Sequence, residues 1–342
     1  MKSVKECAIA SGGYILSSKW SPFMSATRSS RPKVLMVSSM PEWDLAPMRE
    51  AYDLIDLPAD GPSGLASAAD IAALVTSGGK GADAALIEAL PALALITVYG
   101  VGYDKVDLDA ASRCNVAVTN TPDVLTNDVA DMALALTLAL SRRIVDGDTL
   151  VRSGAWSEKS MPLTGSISGR KIGIVGLGRI GEAIANRFVG FDTEIGYWNR
   201  SPKPLSSWRA FPTPATLAAW ADILVVAVAG GNDTVGLVNA ETIVALGRDG
   251  LLINISRGTT IDEAALIAAL ESGTIAGAGL DVFLNEPAID RRFLSLGNVV
   301  LSPHQGSATV ATRRAMGELV RANLAAHFAG ETLPTTVLHR HR

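Results

Sequence analysis

Three ionisable side chains, Arg257, Glu286 and His304, each stand shortly after a short apolar run in the C-terminal half of this 342-residue chain. Arg257 lies in Asn254-Ile255-Ser256-Arg257-Gly258. Glu286 closes Leu280-Asp281-Val282-Phe283-Leu284-Asn285-Glu286-Pro287. His304 lies in Leu301-Ser302-Pro303-His304-Gln305-Gly306-Ser307. A guanidinium offers a planar fork of donors to a carboxylate or a carbonyl oxygen. An imidazole gives or takes a proton near working pH. Of the chain's four histidines, His327, His339 and His341 fall in the C-terminal helical stretch or tail, which leaves His304 for such a role. Taken singly, a Glu before Pro is an ordinary turn residue and a His after Pro an ordinary loop residue. Three such residues after successive strands are another matter, because the C-terminal strand ends of a doubly wound sheet form its ligand crevice.

The elements that must position them read as two strand–helix series. The first begins at Lys33–Val37 and continues with the apolar runs Ala72–Thr76, Leu93–Val98 and Val116–Asn120, broken at Thr121-Pro122. A long helix is expected over Asn127–Arg143, with Thr126 as its N-cap, acids Asp128 and Asp131 early and Arg142 and Arg143 late. It is apolar nearly all round, which suits a helix buried between domains. The second series runs through Lys171–Val175, Glu194–Trp198, Ile223–Val228, Leu251–Ile255, Ala276–Leu280 and Val299–Leu301. Strands alternating with helices imply parallel sheets. The expected fold is therefore α/β, with two Rossmann-like domains, each a doubly wound parallel sheet. One domain comprises residues 32–123 plus 308–342, and the other, 124–307, is inserted into it.

Gly176-Leu177-Gly178-Arg179-Ile180-Gly181 is a GxGxxG pattern. Alone it is weak, but here it follows the strand Lys171–Val175 and opens a helix over Arg179–Val189. Gly176 permits a tight turn, Gly178 lets the backbone approach a pyrophosphate, and Gly181 lets helix and strand pack closely. The end of the next strand selects the nucleotide. An Asp or Glu there would hold a ribose 2′-hydroxyl. This chain has Asn199-Arg200-Ser201 instead, with Asp192 and Glu194 at the opposite end of the strand. Arg200 and Ser201 can bind a 2′-phosphate that a carboxylate would repel, so NADPH is expected over NADH. An Arg200 that stayed solvated would leave dual use of NADPH and NADH. Val228, Ala229 and Gly230, ending the strand after that, are expected to meet the adenosine side through their backbone.

Composition narrows the classes. The chain is 48% hydrophobic and 19% charged, with a formal net charge of -4. A mildly acidic chain is a poor binder of nucleic acid or acidic membranes, and no stretch is apolar for long enough to span a bilayer. Cys7 and Cys114 have no metal-ligand spacing, so no metal is expected and a reducing, cytoplasmic setting is the default. Residues 1–31 read as a disordered tail or an upstream start with Met24 as the true one. Lys2, Lys5, Lys19, Arg28 and Arg31 against the single acid Glu6 keep a transit peptide open.

In combination, the glycine loop followed by Arg257, Glu286 and His304 in that order resembles the D-isomer-specific 2-hydroxyacid dehydrogenase family. The likeness covers about Lys33 to Val337 and is greatest to the NADPH-preferring glyoxylate/hydroxypyruvate and hydroxyphenylpyruvate reductase branch. It implies reduction of a small 2-oxo acid to the D-2-hydroxy acid. Arg257 would bind the substrate carboxylate and polarise the carbonyl, and His304 would protonate the developing alkoxide. Glu286 would hold the other ring nitrogen of His304 and favour the charged ring. The resemblance also carries cofactor contacts to Thr126, Ile255, Ser256, Arg257, Asp281, His304 and Gly306, with Asp281 on the nicotinamide carboxamide. Val98-Tyr99-Gly100-Val101-Gly102-Tyr103 suits a glycine turn whose amides face an anion. In the family such a loop binds the substrate carboxylate, which carries that role to Val101 and Gly102. Whether Tyr99 faces the pocket is open at this point. A homodimer built through the long helix and the following Gly154-Ala155-Trp156 segment is expected. Two other readings stay open: a nucleotide-sensing corepressor-like protein, and a relative acting on a larger 2-oxo acid such as phenylpyruvate or 2-ketogluconate, or a phosphoglycerate or formate dehydrogenase.

Overall fold

Buried β-branched and aliphatic runs make the strands, and the connections between them return the chain to the same edge, which forces parallel pairing. The computed structural model describes residues 31–66, 68–201, 203 and 206–340. The tail reading for residues 1–31 therefore falls almost wholly outside the described residues. The first series is β1 (Lys33–Met36), α1 (Glu42–Ala51), β2 (Asp53–Asp56), β3 (Ile71–Ser77), α2 (Ala84–Glu88), β4 (Leu95–Tyr99), α3 (Leu108–Arg113) and β5 (Ala117–Thr119). Strand β2 is Asp-Leu-Ile-Asp, too short and polar to stand out in the sequence, and it closes one edge of its sheet.

Next come α4 (Thr126–Ser141) and α5 (Ile144–Arg152). The sequence predicts one helix through Arg143. The chain instead turns at Arg143, whose φ is +48°, and whose guanidinium pairs with Asp146 in the first turn of α5 at 2.7 Å. No Gly or Pro marks that break. Thr126 begins α4 but does not cap it, since Leu125 holds the cap position. The buried face of α4, Val129, Ala130, Ala133, Leu136 and Thr137, packs mainly on the second sheet and on the helix of the glycine loop. Gly279 makes room for it, because a β-carbon there would lie 3.1 Å from that of Leu136.

The second series is β6 (Lys171–Val175), α6 (Arg179–Val189), β7 (Glu194–Trp198), β8 (Arg209–Ala210), α7 (Pro214–Trp220), β9 (Ile223–Val226), α8 (Ala240–Leu246), β10 (Leu251–Asn254), α9 (Glu263–Ser272), β11 (Gly277–Leu280) and β12 (Val299–Leu301). The chain ends with α10 (Val310–Ala329), capped by Thr309 and stopped by Gly330 at φ +71°, and then β13 (Thr336–Leu338). The sheets are six-stranded, β13-β5-β4-β3-β1-β2, and seven-stranded, β12-β11-β10-β9-β6-β7-β8. All pairings are parallel except β13 with β5. In the second sheet the strand after β6 lies on one side of it and β9 lies on the other. That reversal is the topological switch point, where ligands of such sheets bind.

The chain leaves the first sheet after β5 and returns to it through α10, which packs on β4 and α1. The hydroxyls of Thr309 and Thr312 both donate to Asp128 at the start of α4. The outgoing and returning segments are thus tied to each other beside the site. Among the described residues no helix is long and apolar enough to cross a membrane.

Candidate active site

The sheet order sets the site. β10, β11 and β12 are neighbours, and their ends Asn254, Leu280 and Leu301 are aligned in register. Arg257, Glu286 and His304 follow those ends, so residues spread over 48 positions of sequence emerge along one edge (304 − 257 + 1 = 48). His304 Nδ1 and Glu286 Oε2 are 2.7 Å apart. The other carboxylate oxygen of Glu286 accepts the Phe283 amide at 2.8 Å. Burial pushes the Glu286 carboxyl up. The bonds from His304 and Phe283, with the charges of His304 and Arg257, outweigh burial and hold it below its ordinary value. Arg257 is near enough for its charge to act on Glu286, and all three residues follow the ends of neighbouring strands.

The loop carrying His304 is pinned from below. Asp281, at the end of β11, is 2% exposed. It accepts from the Ser302 hydroxyl at 2.6 Å, the Gln305 amide at 2.7 Å and the Gly306 amide at 2.8 Å. Gly306 cannot carry a side chain easily, since its β-carbon would lie 3.0 Å from the Asp281 carboxylate. His304 itself has φ +54°, a region that non-glycine residues seldom enter, and such outliers gather at functional sites. Three of the hydrogen bonds of Asp281 thus go to the histidine loop, a use that sequence reading, which aimed Asp281 at a nicotinamide, did not anticipate.

Arg257 is held on both sides. Its Nε donates to Asp104 at 3.1 Å and its Nη1 to the Ser256 carbonyl at 2.8 Å. Buried Asn254 fixes the loop beneath, donating to the Arg257 carbonyl at 3.0 Å and accepting the Ser256 amide at 3.0 Å. The free end of the fork reaches the loop after β4. A β-carbon on Gly102 would lie 1.5 Å from Nη2, and one on Gly78 3.2 Å from it. On the cofactor side, a β-carbon on Gly230 would lie 2.7 Å from Arg257 Cγ. Glycines from three loops clear the space this side chain fills. The Val101 carbonyl accepts from Asn120 at 2.8 Å, which steadies the loop.

Sequence reading missed Asp104, Asn254, Ser302 and Gly78, and it aimed Gly230 at the adenosine side rather than at Arg257. Asp104 could have been suspected, because it follows the Gly100-Val101-Gly102 turn by two residues. Tyr99, the last residue of β4, is buried and engaged with α10. Its ring packs under the Arg313 guanidinium, and its hydroxyl donates to the Arg313 carbonyl at 3.0 Å.

The glycine turn, which follows β6, lies two strands along the edge from Arg257, which follows β10. Gly176 has φ +103°, and a β-carbon on it would lie 2.8 Å from the Val228 amide nitrogen. A β-carbon on Gly181 would lie 2.0 Å from the Gly176 carbonyl. Gly178 has open space instead, as close backbone approach to a pyrophosphate needs. Helix α6 begins at Arg179, so its first amides lack intrahelical partners and point where an anion binds. These observations fit a dinucleotide. Leu177 is anchored through its amide to Asn199 Oδ1 at 3.1 Å, and Asn199 also donates to the Ser201 carbonyl at 2.7 Å. The Ser256 hydroxyl donates to the Val228 carbonyl. Arg179 pairs with Asp123 at 2.9 Å. Ile180 is half-buried along α6, Ile255 is buried with its amide on the Val226 carbonyl, and Ala229 accepts from Thr234 at 2.9 Å. Thr126 is half-buried at the start of α4.

A dinucleotide turn at the switch point, with an acid–base pair and a fixed arginine along the same edge, defines a nicotinamide-dependent dehydrogenase. The comparisons with known proteins are more particular. Residues 134–306 match the model of the D-isomer specific 2-hydroxyacid dehydrogenase NAD binding domain. The chain belongs to that family and is an NAD(P)-dependent oxidoreductase. It is 48% identical to 2-ketogluconate reductase of Gluconobacter oxydans over 268 residues, covering 78% of this chain and 86% of that one. It is 49% identical to hydroxyphenylpyruvate reductase of Plectranthus scutellarioides over 271 residues, 79% and 87% of the two chains. A solved NADPH-dependent glyoxylate/hydroxypyruvate reductase of Sinorhizobium meliloti, in complex with NADP and malonate, superposes with a TM-score of 0.87 at 41% identity, covering 92% of this chain and 99% of that one.

Proposed function

We propose that the chain reduces a small 2-oxo acid, hydroxypyruvate or glyoxylate, to the D-2-hydroxy acid with NADPH. The observation that carries this reading is the His304–Glu286 pair at 2.7 Å beside an arginine whose fork end opens on Gly102. Arg257 and the Val101–Gly102 backbone hold the substrate carboxylate, and Arg257 polarises the carbonyl oxygen. A nicotinamide bound at the glycine turn would supply the hydride that the carbonyl carbon accepts. His304 gives its proton to the carbonyl oxygen as negative charge develops there. Glu286 keeps the ring aimed and balances its charge. Residues 124–307 would form the cofactor domain, with Thr126, Ile255, Ser256, Asp281 and Gly306 near the nicotinamide end. Arg200 and Ser201 would hold the 2′-phosphate of NADPH. At about 4.8 Å per strand spacing, β7 is roughly 14 Å from β10, so Arg200 acts on nucleotide affinity and leaves the chemical step to Arg257 and His304.

A panel of 2-oxo acids followed at the nicotinamide absorbance band with each reduced nucleotide tests the reading. The expected result is turnover of hydroxypyruvate and glyoxylate with a higher kcat/KM for NADPH than for NADH. Equal values, or a preference for NADH, would overturn the cofactor assignment. The absence of turnover would favour a nucleotide-sensing role. A larger substrate is a second reading, because the relatives named for 2-ketogluconate and hydroxyphenylpyruvate are about equally similar to this chain. Preferred turnover of those acids over glyoxylate would establish it.

A homodimer belongs to the same reading. Ile144, Val145, Val151 and Trp156 on α5 and the turn after it, with Leu163 beyond, are all more than half exposed. So many large apolar groups on one excursion suit a covered surface. Light scattering should give twice the chain mass, and a stable monomer would refute the assembly.

A further inference from the structure

Arg200, the residue read as the 2′-phosphate ligand, pairs with Asp233, at 2.7 Å. The two come from different strand ends. Arg200 follows β7, and Asp233 lies in the turn after β9. Because β7 and β9 flank β6 on opposite sides, the ion pair spans the front of the Gly176–Gly181 turn, where the adenosine half of a dinucleotide would sit. The Asp233 turn is fixed to its own strand end by Thr234, whose hydroxyl donates to the Ala229 carbonyl at 2.9 Å and the Gly231 carbonyl at 3.0 Å. Both charged side chains are about three-quarters exposed, so the pair is weak and Arg200 can release it.

We propose that Asp233 is a specificity-determining residue for the nucleotide, which competes with a 2′-phosphate for Arg200 and so restrains the preference for NADPH over NADH. The proposal rests on the reading of Arg200 as the phosphate ligand. With a phosphorylated ribose, Arg200 must leave Asp233, and the carboxylate then stands as a like charge near the phosphate. With an unphosphorylated ribose, Arg200 keeps its partner, and the carboxylate can accept from the 2′-hydroxyl. The sequence contains no acid at the end of β7. The fold supplies one, Asp233, from the loop after β9, 33 positions further along the chain.

Binding of adenosine 2′,5′-bisphosphate and of adenosine 5′-monophosphate, measured by calorimetry without turnover, tests this on the wild type, Asp233→Asn, Arg200→Ala and the double variant. Asp233→Asn should tighten the bisphosphate by about 5-fold, the upper scale for an exposed charge pair, and leave the monophosphate unchanged or weaker. The NADPH-to-NADH ratio of kcat/KM should rise in step, carried by the nucleotide KM. Arg200→Ala should weaken the bisphosphate selectively, and Asp233→Asn should gain less on that background. If Arg200→Ala leaves bisphosphate binding unaltered, the phosphate assignment fails and the proposal with it. If Arg200→Ala weakens the bisphosphate while Asp233→Asn leaves its selectivity unaltered or lower, the assignment stands and the role of Asp233 is refuted. Both positions are exposed, and matching circular dichroism spectra will exclude misfolding as the cause.

Discussion

Replacing His304 with alanine should lower kcat by about 10²-fold or more, the scale of general acid catalysis, while nucleotide binding measured by fluorescence is retained. The left-handed backbone at His304 is flanked by the Asp281 bonds to Ser302, Gln305 and Gly306 and does not depend on the ring itself. Loss of the imidazole should therefore spare the loop. Near-normal turnover in this variant would remove His304 from the mechanism. The partner carboxylate gives a pH test. The Glu286 carboxyl is held below its ordinary value of 4.5. A depressed folded-state value means that its contribution to stability is complete above 4.5 and is lost as pH falls through the lower folded value. Glu286→Gln should remove that acid-side loss in thermal unfolding. It should also lower kcat at neutral pH, because an amide cannot balance a charged ring. An unchanged acid limb in the variant would show that another group sets it.

The strand pattern made much of this legible in advance. The runs at Glu194–Trp198 and Val299–Leu301 and the helix Arg179–Val189 coincide with observed elements, because each pairs an apolar period with a clear glycine or loop boundary. The glycine turn and the positions of Arg257, Glu286 and His304 were readable because they follow strand ends, which apolar runs mark; the pairing of Glu286 with His304 was legible only through the family resemblance. What stayed hidden was set by tertiary contact. Strand β2 is polar and exists because β1 offers it an edge. Strand β13 is three residues that become a strand only by lying antiparallel to β5. Arg143 ends α4 without any breaker residue. Asp104 reaches Arg257 from 153 positions away, and no local pattern announces a contact of that range. The same holds for Asp281, whose partners lie in the loop after a different strand.

The second large effect is expected at Arg257. Its three nitrogens have separate duties: Nε is held by Asp104, Nη1 by the Ser256 carbonyl, and Nη2 lies against Gly102. Arg257→Lys keeps the charge but offers a point donor in place of a fork. A lysine that stays with Asp104 cannot also meet the substrate carboxylate and the carbonyl oxygen. Because the carbonyl oxygen gains charge only as hydride arrives, the lost donor should cost kcat as well as KM, about 10²- to 10³-fold in kcat/KM. Gly102→Ala probes the same space from the opposite side. Its β-carbon would lie 1.5 Å from Nη2, so the fork must move although its chemistry is intact. The glycine variant should therefore lose kcat/KM for the 2-oxo acid with nucleotide binding preserved. Added guanidinium should restore part of the rate to Arg257→Ala, where the side chain is missing, and none to Gly102→Ala, where the fork is present but displaced. If guanidinium rescues neither and Arg257→Lys turns over normally, then Arg257 serves only to hold the loop, and the carboxylate is bound by the Val101–Gly102 backbone alone.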